Sequence, residues 1–409
     1  MNSEQLFTLA LGLNAPWEVR KIEFETTADQ CKELHIEIGF QRGAKFTDET
    51  GNLCGVHDTI AKKWRHLNFF EHTCYIHCDV PRLYKQDGTV KLVQVPWARS
   101  GSGFTLLFEA FMMCLIEREM PVKRVAELLK IYPQRVWNVF DYWVSLAREK
   151  DDPSAITKLG LDETSSRKGH NYVTIGVDMT AKRVIHAVEG KGKEAVAQIQ
   201  HRLVKKGVNP EQITQASMDL SPAYIAGVAE HFPKAQITFD RFHVVKMLNE
   251  AMDKLRKLEQ KEHALLKGMK YSFLKNPENL TPKQQVKLVE TIALYPSLGN
   301  AYRLKILFND LWTMPDKKAA HQFMIEWCAE VQHYKIGPFI EFTKTLIGHW
   351  YGILNFIESR LTNGLLEGIN HKIQLAKRRA RGFRNTNSYI NMIYFLCAKL
   401  DFDYPHKII

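Results

Sequence analysis

Hydrophobic spacing changes period several times along the chain, and each change marks a new kind of element. Near the N-terminus it alternates with period two. "CKELHIEIGF" at 31–40 and "HTCYIHCDV" at 72–80 read as half-buried strands. Residues 1–95 are therefore expected to form a small strand-rich module. From 102 the period lengthens, and "SGFTLLFEAFMMCLIERE" carries the wide apolar stripe of a helix. "PVKRVAELLK", a short "IYP" break and "QRVWNVFDYWVSLAREK" follow, with Pro121 near a first helical turn where its missing N–H is harmless. So tight a connection fits either a DNA-reading helix-turn-helix or an αα-hairpin packed in a bundle. On the first reading, Gln134 and Arg135 open the second helix with groups suited to base or phosphate contacts. The Trp137 and Trp143 pair reads as core.

Residues 156–245 return to short apolar runs. "KLGLDET", "YVTIGVD" and "KRVIHAVEG" are strands joined by short turns, which makes them antiparallel neighbours. "KEAVAQIQHRLVKKG" is an amphipathic helix, "ITQASMDL" a fourth strand, and "SPAYIAGVAEHFP" a helix opened by Ser221 and Pro222. A fifth strand lies in "AQITFDRFHV". The helix after strand three is long enough to bring strand four back parallel to strand one, whose free edge is its natural place. Residues 246–355 read as mostly helical, broken at "NPENLTP" and "MPD", and a last helical region spans 362–400.

Composition adds a partner class to this α/β outline. The chain has 409 residues, 45% hydrophobic and 25% charged, enough for two or three globular domains. A net charge of +11 points to a polyanionic partner, nucleic acid foremost. Seven scattered cysteines suggest reduced thiols and a cytoplasmic protein. The first residues lack the pattern of a secretory leader, and no apolar run is long enough for a membrane span.

One acid stands out. Asp162 interrupts an otherwise apolar strand, where a bare carboxylate costs several kcal/mol unless it is compensated. The strand order expected above sets Asp219, at the end of strand four, beside it. Paired carboxylates are stable around a divalent cation, and magnesium accepts such oxygen ligands. The plainer alternative has Asp162 capping a turn and Asp219 starting one. Glu367 is a third candidate: on a helix, Asn363, Glu367, Asn370 and Gln374 share one polar face. Lys372, Lys377, Arg378, Arg379, Arg381 and Arg384 then form an acid-free basic run. A metal ligand followed by phosphate-binding groups suits a phosphodiester substrate. The alternative is a solvated face with a basic tail.

Six strings carry more information than these patterns. "KKWRHLNFFEH", "VPWARSGSGFT", "LDETSSRKGHNY", "MDLSPAY", "FPKAQITFDRFHVVKMLN" and "LTNGLLEGINHKIQLAKRRARGFRN" follow one another in order, within a likeness that extends from about Leu6 to about Phe395. Together they resemble the ISL-three family of bacterial insertion-sequence transposases. The resemblance implies a DDE transposase with an RNase-H-like mixed sheet interrupted by a helical insertion. It further implies an N-terminal zinc-finger-like module and a helix-turn-helix. The expected division is 1–95 for the module, 96–152 for the helix-turn-helix, 153–245 for the first part of the core, 246–355 for the insertion and 356–409 for the rest of the core.

By the same resemblance Asp162 is the first catalytic acid and Glu367 the last. Asp219 and Asp240 both remain candidates for the second, the sheet order favouring Asp219. Asp240 and His243 belong to a "DRFH" element expected to support the site or touch DNA. Two magnesium or manganese ions are implied, one activating water and the other stabilising the leaving 3′ oxygen. The implied partners are double-stranded DNA, as element ends and as target, and a second copy of the chain, with the protein acting on the bacterial nucleoid. A catalytically silent DNA-binding regulator is the alternative. The family's two C-x-x-C pairs are missing: Thr47 and Thr50 stand at the first, and "LYKQDG" at the second. Zinc is therefore not expected, although Cys54, His57, Cys74, His77 and Cys78 lie nearby. Trp97 and Arg99 are expected in a structured linker, His170 in a turn or on DNA, and Glu163 on the strand face opposite Asp162.

Overall fold

The computed structural model describes the chain except residues 49–50, 86–87, 168, 170, 361–362 and 405–409, so Thr50 and His170 lie outside the described residues. Two compact units divide it: Met1–Trp143 with the chain from Phe402, and Val144–Asp401.

The first unit opens with a helix, α1 (Ser3–Ala10), in a region whose sequence suggests only strands. Strands β1 (Trp17–Thr26), β2 (Lys32–Phe40), β5 (Val56–Phe69) and β6 (His72–Tyr84) form a sheet in the order β1-β2-β6-β5. A tiny hairpin, β3 (Phe46–Thr47) with β4 (Leu53–Cys54), occupies the place of the first missing cysteine pair, and β7 (Val90–Leu92) pairs with β6. Period-two burial holds along β6: Cys74, Ile76, Cys78 and Val80 face the core. His77 points the other way and meets His35 at 2.8 Å. Burial pushes the Cys74 and Cys78 thiols up to about 12. Trp97 is a core residue, edge-on to Trp17 and Trp64 at 5.1 and 5.8 Å.

Helices α2 (Leu106–Glu117), α3 (Val122–Leu129) and α4 (Pro133–Lys150) follow, and Lys130 adopts the left-handed conformation (φ 53°) that turns α3 into α4. Glu109 of α2 is wholly buried. Its carboxylate accepts hydrogen bonds from Arg99 Nε at 2.9 Å, Ser102 Oγ at 2.5 Å and Trp143 Nε1 at 2.8 Å. Trp143 is therefore core, and Arg99 is an ion-pair partner of the helices.

The second unit holds β8 (Lys158–Ser165), β9 (Tyr172–Asp178), β10 (Arg183–Glu189), β11 (Gln215–Met218) and β12 (Gln236–Phe239), in the order β10-β9-β8-β11-β12. The first three are antiparallel, and β11 and β12 run parallel to β8. Strand four thus sits beside strand one, as the short turns and the long crossover require. The crossovers are α5 (Lys193–Lys205) and α6 (Pro222–His231). Beyond β12 come α7 (Arg241–Gln260), α8 (Lys270–Leu274), α9 (Pro282–Leu294), α10 (Pro296–Leu307), α11 (Lys317–His333), α12 (Gly337–Gly348) and α13 (Trp350–Ser359). Last are α14 (Gly364–Arg379) and α15 (Thr386–Cys397). No helix among the described residues is long and apolar enough to cross a membrane.

Two tests follow from this packing. A Cβ on Gly352 of α13 would lie 2.4 Å from the ring of the fully buried Phe239 on β12. Gly352→Ala is expected to lower stability by about 1–3 kcal/mol in thermal denaturation. His186 on β10 faces Tyr394 of α15, Nδ1 to OH at 2.7 Å. Burial, with the charges of Arg148 and Arg202, lowers its pKa from 6.5 to about 4. Between those values the unfolded chain binds a proton that the native state does not, so stability falls as pH drops from 6.5 towards 4. This loss amounts to about 3 kcal/mol. Urea denaturation of His186→Gln should show a correspondingly smaller gap between neutral and acid stability.

Candidate active site

Strands β11 and β12 each run directly into an acid, Asp219 and Asp240, and β8 carries Asp162 within its length. The parallel pairings Gln215↔Lys158 and Gln215↔Gln236, continued to the carboxyl ends, set Asp162, Asp219 and Asp240 on one level of the sheet. Ligands of open α/β sheets gather beyond the carboxyl ends of parallel strands.

The three acids are held differently. Asp162 Oδ1 accepts from the backbone N–H of Glu163 at 2.7 Å, and Oδ2 from Asn370 Nδ2 at 2.6 Å. Burial nonetheless pushes its carboxyl up to about 6, and the charge of Asp219 acts in the same direction. Asp219 is half-buried, with Oδ1 accepting from Ser221 N at the start of α6, 3.0 Å away. Asp240 is buried and caps α7, accepting from Phe242 N at 3.1 Å and from His243 Nδ1 at 2.9 Å. That second bond is the main reason the His243 pKa is raised, and the charges of Asp219 and Asp162 add to it.

Helix α14 docks along β8 in matched steps. A Cβ on Gly160 would meet Leu366 at 3.0 Å, Asn370 donates to Asp162, and Gln374 Nε2 donates to Thr164 Oγ1 at 2.7 Å. Two strand residues advance about 6.6 Å, and four helix residues about 6 Å. The two repeats therefore stay in phase over three rungs. At the top, Asn363 accepts a hydrogen bond from Ser217 of β11. The polar face read from the sequence is thus bonded to the sheet through Asn363, Asn370 and Gln374. Glu367 lies on that face one turn before Asn370 and is exposed.

Among the described residues, no group of three or more His, Cys, Asp and Glu side chains forms a ready-made metal cage. The donors nevertheless fit a hard cation. Asp162 and Asp219 repel each other, and the buried Asn370 Oδ1 has no hydrogen-bond partner. Magnesium keeps several waters and takes only one or two carboxylates from a protein.

The basic run divides. Lys372 donates to Leu396 O and Lys377 to Ser165 O, both at 2.7 Å, while Arg378, Arg379, Arg381 and Arg384 are exposed. In the first unit, Gln134 and Arg135 are exposed at the start of α4. Gln134 donates to Asn138 Oδ1 at 3.0 Å, and the Arg135 guanidinium lies 4.0 Å from the centre of the Phe104 ring. Sequence reasoning passed over Ser217 and Gly160. The glycine in "LGLD" was a usable signal, because an isolated glycine in a strand marks a close approach. Glu163 is half-buried; burial raises its pKa, and Lys191 and Asp219 act on it.

Residues 159–393 match a family model described as transposase, and residues 93–144 match the helix-turn-helix domain of transposase family ISL3. The transposase for insertion sequence element IS1001 of Bordetella parapertussis is 28% identical over 381 residues, 90% of this chain and 93% of that protein. The transposase for insertion sequence element IS1557 of Mycobacterium tuberculosis is 26% identical over 431 residues, 97% of this chain and 96% of its own length. The first match takes in more than half of the chain, which belongs to the ISL3 family of transposases.

Proposed function

We propose that this protein moves an insertion sequence by cutting DNA at the element's ends and joining the freed 3′ ends to a target, with Asp162, Asp219 and Glu367 holding divalent cations. The observation that carries this reading is the shared level of Asp162 and Asp219 on adjacent parallel strands, with α14 latched to Asp162 through Asn370. Residues three apart on a helix have Cβ atoms about 5–6 Å apart. Glu367 therefore belongs to the rim of the same site. The sheet order, three antiparallel strands followed by two parallel crossovers, is what an RNase-H-like core requires. Asp240 is occupied in capping α7 and holding His243, which fits a supporting role better than that of second ligand.

Bound cations supply Lewis acidity, activating water and offsetting charge on the leaving 3′ oxygen. The chain's own groups do the rest. Asn370 fixes the orientation of Asp162. Asp240 holds His243 by a hydrogen bond that raises its pKa, which favours a cationic ring beside the incoming phosphate. The exposed arginines after α14 bind the flanking backbone, and Gln134 and Arg135 read the element's ends. The N-terminal module acts as a finger held by its apolar core in place of zinc. Residues 1–95, 96–152, 153–245, 246–355 and 356–409 serve as finger, helix-turn-helix, first core segment, insertion and second core segment. Two ends must be brought together, so the working form is at least a dimer, acting on the bacterial nucleoid.

Cleavage of the element's own ends with magnesium tests the reading. Asp162→Ala and Asp219→Ala should each lower the rate by roughly 10³-fold or more, with DNA binding nearly unchanged in gel-shift titration. Asp240→Ala should retain measurable cleavage. An inactive Asp240→Ala beside an active Asp219→Ala would exchange the two roles, and a wild-type chain that binds without cutting would be the silent regulator. Replacing Arg378, Arg381 and Arg384 by alanine should flatten the slope of log affinity against log salt by about 0.9 for each phosphate that the protein no longer neutralises.

A further inference from the structure

A groove of about 610 Å³ runs along the exposed side of α7. It begins at Phe242, within the turn that Asp240 caps. Phe242 is 57% exposed, and its ring stands edge-on to His243 with centroids 5.7 Å apart. Phe242 and Leu258 are among the side chains that give the groove an apolar lining, and Lys246, Lys254, Lys261 and Lys270 stand along it. Of its acids, Asp253 is paired with Arg256 and Lys257 at 2.7 and 2.9 Å, which leaves Glu250 against the lysines. Asn249 also lines the groove, and its Oδ1 is buried without a hydrogen-bond partner.

Lysines beside an apolar lining suit one kind of ligand. Duplex DNA presents phosphates but hides its base faces. An unpaired strand presents both, and such strands are held by basic grooves with aromatic platforms. The half-exposed Phe242 ring offers the platform and the lysines the backbone contacts. The groove begins at the site: Phe242, which lines it, donates its backbone N–H to Asp240 at 3.1 Å, and Asp240 stands on the sheet level of Asp219 and Asp162. We infer that the α7 groove holds the unpaired DNA strand next to the phosphate being cut, with its first base stacked on Phe242. The inference rests on the reading of this unit as a DNA-cutting enzyme, and it assigns that site a single-stranded component of its substrate.

The test is fluorescence anisotropy on the full chain in EDTA, where binding proceeds without cleavage. The probes are a duplex of the element's end with a short single-stranded tail and the same duplex blunt. Wild type should prefer the tailed probe. Phe242→Ala should lose about tenfold in affinity for the tailed probe and leave the blunt probe unchanged. Phe242→Trp should keep the preference. Lys246→Glu with Lys261→Glu should weaken tailed binding and flatten its salt dependence. Equal losses on both probes, or no loss on either, would overturn the inference. So would groove variants that leave tailed binding alone but change the oligomeric state in light scattering, since the groove would then belong to a second copy. Cleavage by Asp162→Ala is measured separately with magnesium present: if it still cleaves, the metal reading fails while the tail preference stands on its own.

Discussion

A carboxylate taken out of water has to be answered by something, and much of the second unit is arranged around the answer given to Asp162. Two donors reach it, one from its own backbone neighbour and one from a helix far along the chain. They do not suffice: burial still leaves the carboxyl raised to about 6, with Asp219 adding to the strain. The remaining deficit is what makes the spot chemically open. Charge repulsion on one level of the sheet, a buried amide oxygen without a partner and a histidine whose pKa is raised by the nearby acids all converge there.

Glu109 faces the same problem and resolves it differently. It is more deeply buried than Asp162, yet its oxygens receive Arg99, Ser102 and Trp143. A buried acid with a full set of donors is scaffold, here tying the loop before α2 to α4. A buried acid with an incomplete set keeps capacity for a ligand. The contrast separates the structural carboxylate of the first unit from the proposed ligands of the second without reference to any relative.

Much of this was legible in the sequence wherever one period dominates a segment. The strands of the second unit, the side of β8 on which β11 lies and the polar face of α14 all follow from spacing and turn length. So did the division of β6 into an inward cysteine face and an outward His77. What escaped depended on partners distant in sequence. The polar face of α14 gave no hint that Asn363 would meet Ser217, or that Gln374 would meet Thr164. Glu109 looked like one polar position in an apolar stripe, because its partners come from a loop and from another helix. α1 is eight residues long, too short for its period to stand out beside the alternating segments that follow. The exposure of Phe242 has no signature in "DRFHVV", where apolar residues follow it on the same helix.

The rung between Asp162 and Asn370 closes a loop of 208 residues. A ribosome feeding out this chain releases the strands of the sheet well before the latching helix. Until α14 emerges, β8 carries Asp162 without its amide donor, so the sheet is made before the group that completes the hold on its acid. Connectivity alone thus sets the order in which the two sides of this rung are made.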